Sequence, residues 1–177
     1  MRHFIKLIFV LIFFMPVISM GKPMEKIPLE VSIKCTDNPS CIYGGTEIPV
    51  EIIIRNDADY EIGYPQLYIQ ARGPTMKLID NLSGAEKILK VGLANHDLKS
   101  KFTTLAPNET LSVTSVIRTS ELTSLRKEYV DLTLEVGVSA NVKVRNSDEP
   151  EKYQGRARIR IIGKDTLERG NSIPYTP

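Results

Sequence analysis

The chain has 177 residues, 23 Lys and Arg against 21 Asp and Glu, 42% apolar residues, two cysteines and no tryptophan. If Arg2 and Lys6 are lost with a cleaved leader, 21 charges of each sign remain. That balance lacks the basic footprint of a nucleic-acid binder.

The first residues read as a signal peptide. Arg2, His3 and Lys6 form a positive start, Leu7 to Met15 is unbroken apolar sequence, Pro16 breaks it, and Ser19 and Gly21 are small residues at which cleavage is expected. The apolar run is shorter than the ~20 residues of a membrane span, so no span is expected after cleavage. The expected organisation is a leader over 1–20, one β-sandwich domain over 21–163 and a flexible tail over 164–177. The expected location is the periplasm or the medium. Cys35 and Cys41 are then most simply a disulfide, with Asn38-Pro39 turning the chain between them.

Short alternating runs follow, broken by Gly, Pro, Asn and Asp, which is the pattern of an all-β sandwich. Leu29, Val31 and Ile33 mark a first strand; Ile48, Val50, Ile52 and Ile54 mark a second, ending at Arg55-Asn56. Asn56 to Pro65 reads as a polar loop. Leu67, Ile69 and Ala71 suggest a third strand, stopped by Gly73-Pro74. Residues 75–100 are expected to hold one or two short edge strands. Phe102–Leu105 and Leu111–Arg118, joined by Ala106-Pro107-Asn108-Glu109, read as a hairpin. Thr119–Lys127 is the one expected helical turn, with Ser120 as its cap. Tyr129 heads the next strand, either as a corner tyrosine or as a core residue.

Val130, Leu132, Leu134, Val136 and Val138 alternate with polar residues or glycine, as do Ala157, Ile159 and Ile161 with Arg156, Arg158 and Arg160. One antiparallel register satisfies both runs. It pairs Val136 with Ala157, Leu134 with Ile159 and Leu132 with Ile161, and sets Glu135 opposite Arg158. A slip of one residue would bury three arginines.

Candidate chemistry is sparse. His96 is the single histidine beyond the leader, and the sequence lacks H-E-x-x-H and a G-x-S-x-G elbow. No cofactor is expected, and neither a catalytic nor a metal-ligating residue is assigned. Asp57, Asp59 and Glu61 alternate around Tyr60 and before Tyr64, while Asp148 and Glu149 lie in the last hairpin loop, followed by Glu151. In an immunoglobulin-type sandwich these two loops share one end. Asp57, Asp59, Tyr60, Glu61, Tyr64, Asp148 and Glu149 are therefore candidate partner-binding residues, with Ca²⁺ as a further ligand for the carboxylates. Asn81-Leu-Ser83 and Asn108-Glu-Thr110 match glycosylation sequons.

The series Gly45-x-x-Ile48-x-Val50-x-Ile52-x-Ile54-x-Asn56, then Leu105-x-Pro107-x-Glu109, then Tyr129 heading an alternating strand, resembles secreted immunoglobulin-like and fibronectin-like domains. The likeness covers roughly residues 27–162 and departs from antibody domains in lacking a core Trp and in its closely spaced cysteines. It implies an immunoglobulin-like antiparallel β-sandwich of about seven to nine strands with one short helical turn. The outline is also similar to β-sandwich pro-regions of some secreted metallopeptidases, without the peptidase domain. Together the residues point to a non-enzymatic protein-binding module, such as an inhibitor, an immunity protein or an envelope accessory subunit. The alternatives are a small-ligand, glycan or Ca²⁺-binding module and an unconventional hydrolase.

Overall fold

The computed structural model describes residues 27–126, 129–145, 147 and 149–166. The expected leader over 1–20 and most of the expected tail, residues 167–177, lie outside the described residues. The described chain is mostly strand: β1 (Leu29–Cys35), β2 (Ile42–Tyr43), β3 (Ile48–Asn56), β4 (Ile62–Tyr64), β5 (Thr75–Asp80), β6 (Glu86–Ile88), β7 (Thr103–Leu105), β8 (Thr110–Ile117), β9 (Asp131–Val144) and β10 (Glu151–Gly163). Two short helices, α1 (Gln66–Arg72) and α2 (Thr119–Leu125), and a 3-10 turn over His96–Ser100 complete it. The strand number exceeds the expected seven to nine because β2, β4, β6 and β7 are pieces of two or three residues, too short for periodicity to register.

Two sheets form. One has the order β1-β3-β8; the other runs β2-β10-β9-β4-β7, with β5 also paired to β9 and β6 to β5. Val50, Ile52 and Ile54 of β3 and Leu132, Leu134 and Val136 of β9 are solvent-excluded and belong to one core cluster. Burying a side chain of this size contributes about 1.5–3 kcal/mol, so alternation in two strands alone accounts for much of the sandwich. The β9–β10 register is the one expected, with Val136 on Ala157, Leu134 on Ile159, Leu132 on Ile161 and Glu135 on Arg158. Its exposed face is stitched by Arg158–Glu135 and Arg160–Asp131 ion pairs at 2.5 and 2.8 Å.

The chain crosses between the sheets after β1. β1 lies against β3, and after the Cys35–Cys41 disulfide (Cα–Cα 5.5 Å) the chain joins the other sheet, where β2 runs parallel to the end of β10. Asn38 makes the expected turn, its carbonyl accepting from Cys41 N at 2.8 Å and its side chain from Ser40 N at 3.0 Å.

Several expectations are corrected. Leu67, Ile69 and Ala71 lie in α1 and not in a strand. Five alternating residues fit either period, and the flanks decide: Pro65 starts the helix, and Gly73, at φ 75°, ends it by donating to Ile69 O at 2.8 Å. The buried pair is Tyr68 and Ile69, whereas Leu67 is exposed. The segments around Phe102–Leu105 and Leu111–Arg118 do not form a hairpin. β7 pairs with β4 and β8 with β3, so the 106–109 turn arches between the sheets. The helical turn after β8 is α2, but its cap position is Arg118 and not Ser120; Glu121 reaches back to accept from Arg118 N at 2.9 Å. β5, expected at an edge, is interior between β6 and β9, while β6 is the edge strand. Tyr129 precedes β9 in a left-handed conformation, φ 55°, and is half-buried.

Candidate functional site

Along one side of the sandwich the outer edges of β1 and β10 part to leave an open groove of about 1280 Å³. Its floor is set by two residues of β10. Tyr153 is buried, and its hydroxyl donates to Leu29 O of β1 at 3.0 Å, tying one sheet to the other. Burial, then the charges of Asp57 and Glu30, pushes the Tyr153 hydroxyl up to about 12, so it remains a neutral donor. Gly155 lets β1 approach: a Cβ there would fall on the Tyr153 hydroxyl and stand 2.5 Å from Val31 Cγ2. The glycine is therefore required by a close approach between sheets.

The two rims carry different sets of charges, and the β10 rim includes the acid Glu151 beside its cations. On the β1 side Arg55 bridges Glu30 at 2.7 Å and Asp57 at 2.6 Å. The hydrogen bond that Arg55 donates to Asp57, then the charges of Asp57 and Glu30, holds the guanidinium above its ordinary value. On the β10 side Lys152, Gln154 and Arg156 share the outward face and are exposed. Among the described residues neither Lys152 nor Arg156 has a carboxylate within 4.0 Å. No described strand pairs with the outer edge of β10 before Ile162.

The 57–61 loop meets the β9–β10 turn at one end of this groove. β4 pairs Ile62 with Val144, and Arg145 lies 3.6 Å from Asp59 with its guanidinium 4.4 Å from the Tyr60 ring centre. Asp57, Asp59 and Tyr60 are thus placed together, and Asp57 and Glu151 line the groove. Glu61 and Glu149 are exposed, and Asp148 lies outside the described residues. Tyr64 is a correction. It is 1% exposed and belongs to the core, because β4 turns it inward; it offers no binding surface. Burial, then Tyr153, pushes its hydroxyl well above the ordinary tyrosine value, and that hydroxyl has no hydrogen-bond partner among the described residues.

Two buried polar residues went unread in the sequence. Asn56 is fully buried at the end of β3. Its amide donates to Tyr60 O, Leu105 O and Ala106 O at 2.8, 2.9 and 3.2 Å, and its carbonyl accepts from Ala58 N at 2.9 Å. It thereby holds the 57–61 loop and the 106–109 turn in place. Asp80 ends β5 and is 2% exposed. It accepts from Ser83 Oγ at 2.5 Å, Leu82 N at 3.2 Å and Arg126 Nε at 3.1 Å. Ser83 first, opposed by burial and helped by Leu82 and Arg126, keeps its carboxyl below the usual range. The signal for both was periodicity. Asn56 continues the inward series Ile48, Val50, Ile52, Ile54, and Asp80 continues Met76, Leu78.

Among the described residues no three His, Cys, Asp or Glu side chains converge as a metal site, and no helix is long and apolar enough to cross a membrane. No family model and no curated protein matches the chain. Among solved structures, a Northeast Structural Genomics Consortium target is similar at a TM-score of 0.41 and 11% identity, over 84% of this chain and 90% of that one. A β-glucosidase from Listeria innocua in complex with glucose is similar at 0.32 and 16% identity, over 73% of this chain. A β-glucosidase from Kluyveromyces marxianus is similar at 0.30 and 10% identity, over 76% of this chain. This chain spans only 16% and 14% of those two enzymes.

Proposed function

We propose that the chain is an exported, non-enzymatic β-sandwich that works by binding another protein, as an inhibitor, an immunity protein or an accessory subunit of an envelope complex. The observation that carries this reading is the groove between β1 and β10, bordered by unpaired strand edge and by Lys152 and Arg156, which make no ion pair within 4.0 Å among the described residues. At about 1280 Å³ it is larger than the clefts of roughly 300–1,000 Å³ that hold small ligands, and its size suits a polypeptide segment. The carboxylates considered for Ca²⁺ already lie near guanidinium groups, Asp57 on Arg55 and Asp59 on Arg145. Export is supported by the charge–apolar–small order of residues 1–21 and by the Cys35–Cys41 disulfide, a bond favoured in oxidising compartments. The immunoglobulin-like reading of the sandwich is supported by the N-terminal strands, β1 beside β3 and β2 in parallel with the end of β10.

Affinity capture with chemical cross-linking, using the protein without residues 1–20 and fractions of its own cell envelope and medium, tests the reading. One stoichiometric protein partner is expected. Repeated capture of a glycan or lipid alone, with the domain intact, would overturn it.

A further inference from the structure

The outward face of β10 is a row of side chains at alternate positions: Lys152, Gln154, Arg156, Arg158 and Arg160. The row divides in two by what β9 sets beside it. Arg158 and Arg160 find carboxylates on β9, Glu135 and Asp131. Lys152, Gln154 and Arg156 face Asn141, Ser139 and Gly137, which carry no charge. The same face shows how this sheet balances its charges: Glu86, Lys77, Glu135 and Arg158 succeed one another across β6, β5, β9 and β10 with alternating sign. Lys77, Arg158 and Arg160 are each met by an acid on the neighbouring strand, whereas Lys143, on the same face of β9, lies over the Phe102 ring. At the open side of β10 the next strand is missing, and among the described residues neither Lys152 nor Arg156 has a carboxylate within 4.0 Å, although Glu135, already paired with Arg158, also feels the charge of Arg156.

We infer that an extended, acidic peptide segment of a partner protein adds as a strand to the free edge of β10 over Glu151–Arg156, placing carboxylates at alternate positions beside Lys152 and Arg156. This rests on the reading of the protein as a binding module. The geometry suits it. Residues 151–156 line the groove, a stretch of about 20 Å at roughly 3.3 Å per residue. Main-chain groups on an unpaired edge supply affinity for any extended chain, and alternate side chains supply selection. The other face of such a strand would rest over Leu29 and Tyr153, which favours apolar residues between the acids. Glu30 and Asp57 stand on the opposite rim with Arg55 between them, and Glu151 opens the β10 stretch on the parity of Tyr153, so selection for acids rests on the outward row of Lys152 and Arg156. Cations on an open edge also discourage strand pairing between identical chains, and that guarding role is the competing account.

The test uses ¹⁵N-labelled protein, with residues 1–20 removed, and an acetylated eight-residue peptide alternating glutamate and valine. Saturable shifts confined to the amides of β10 and the β1 rim are expected. The double variant Lys152→Glu/Arg156→Glu, exposed and thus safe for folding, is expected to weaken binding about tenfold, and a lysine–valine peptide is expected not to bind. Two N-methylated peptides, one for each alternate set of amides, separate strand addition from charge alone. One is expected to lose binding and the other to keep it. Equal binding of both, or equal competition by a sulfated polysaccharide, would show an unselective anion surface and overturn the inference. No shift at about 1 mM peptide, weaker than ~4 kcal/mol of binding, would leave the cations as edge guards and also overturn it. A native partner cross-linked at the groove alongside a silent peptide would sink strand addition while leaving the binding-module reading standing.

Discussion

Replacing Asn56 with alanine should cost more stability than any surface change in this protein. The side chain is fully buried and makes four hydrogen bonds, three from its amide and one to its carbonyl. Two N–H groups serve three acceptors, so about three bonds' worth of interaction is lost, at roughly 1 kcal/mol each. The groups left behind matter as much, because Ala58 N–H and Leu105 O sit in buried surroundings and lose a partner. The expected loss is about 3 kcal/mol, or roughly 6–12 °C in Tm for a domain of this size. Urea unfolding would show a lower midpoint with an unchanged slope. Hydrogen exchange at the Ala58 amide should accelerate beyond the global change, since the 57–61 loop loses its anchor. A loss below about 1 kcal/mol would refute the assignment of Asn56 as the tie between the loop and the 106–109 turn.

Other outcomes follow from the same physical reasoning. Gly155→Val should destabilise by about 1–3 kcal/mol, because its side chain enters the space of Val31 and the Tyr153 hydroxyl; denaturant midpoints check it, and a neutral result would show that the sheets can separate there. Tyr64→Phe should leave stability equal or raise it by up to about 1 kcal/mol, since the hydroxyl removed is buried without a partner among the described residues; a clear loss would reveal a hidden one. Cys35→Ser with Cys41→Ser should cost about 2 kcal/mol by the chain-entropy model for a loop closed at a separation of six residues, read by denaturation. Asp80, Asp131 and Glu135 all have carboxyls held below their ordinary values, chiefly by Ser83, Arg160 and Arg158 respectively. Their stabilisation is fully present above the unfolded values near ~4 and is lost as pH falls through the lower folded values. Thermal melts from neutral to acid pH should therefore fall most steeply below about pH 4, and Asp80→Asn should flatten that limb; an identical acid slope in the variant would exclude Asp80 as a contributor.

The long strands were legible because burial imposes a period that few other arrangements share. The β9–β10 register followed from needing one alignment to bury Leu132, Leu134 and Val136 while placing Glu135 against Arg158. The segment 66–72 was not legible, since five alternating residues suit helix or strand, and only Pro65 and Gly73 break the tie. The arch over 106–109 escaped for a topological reason: a turn sequence states that the chain reverses, not whether both arms stay in one sheet. At the candidate site, chain proximity grouped Asp57, Asp59, Tyr60 and Tyr64, and strand parity then removed Tyr64 to the core. The groove itself depends on how the edges of β1 and β10 sit across the sandwich, which no local pattern encodes. Only Gly155, interrupting the inward series of β10, hinted at a close approach there.

The most direct test of the central claim is a photo-cross-linker at position 154, on the exposed β10 edge, compared with one at position 114, on the exposed face of β8, in the native cell. The account predicts a discrete cross-link to another protein from position 154 and none from position 114. Cross-links of equal strength from both positions, or none from position 154 with the protein folded and exported, would contradict it.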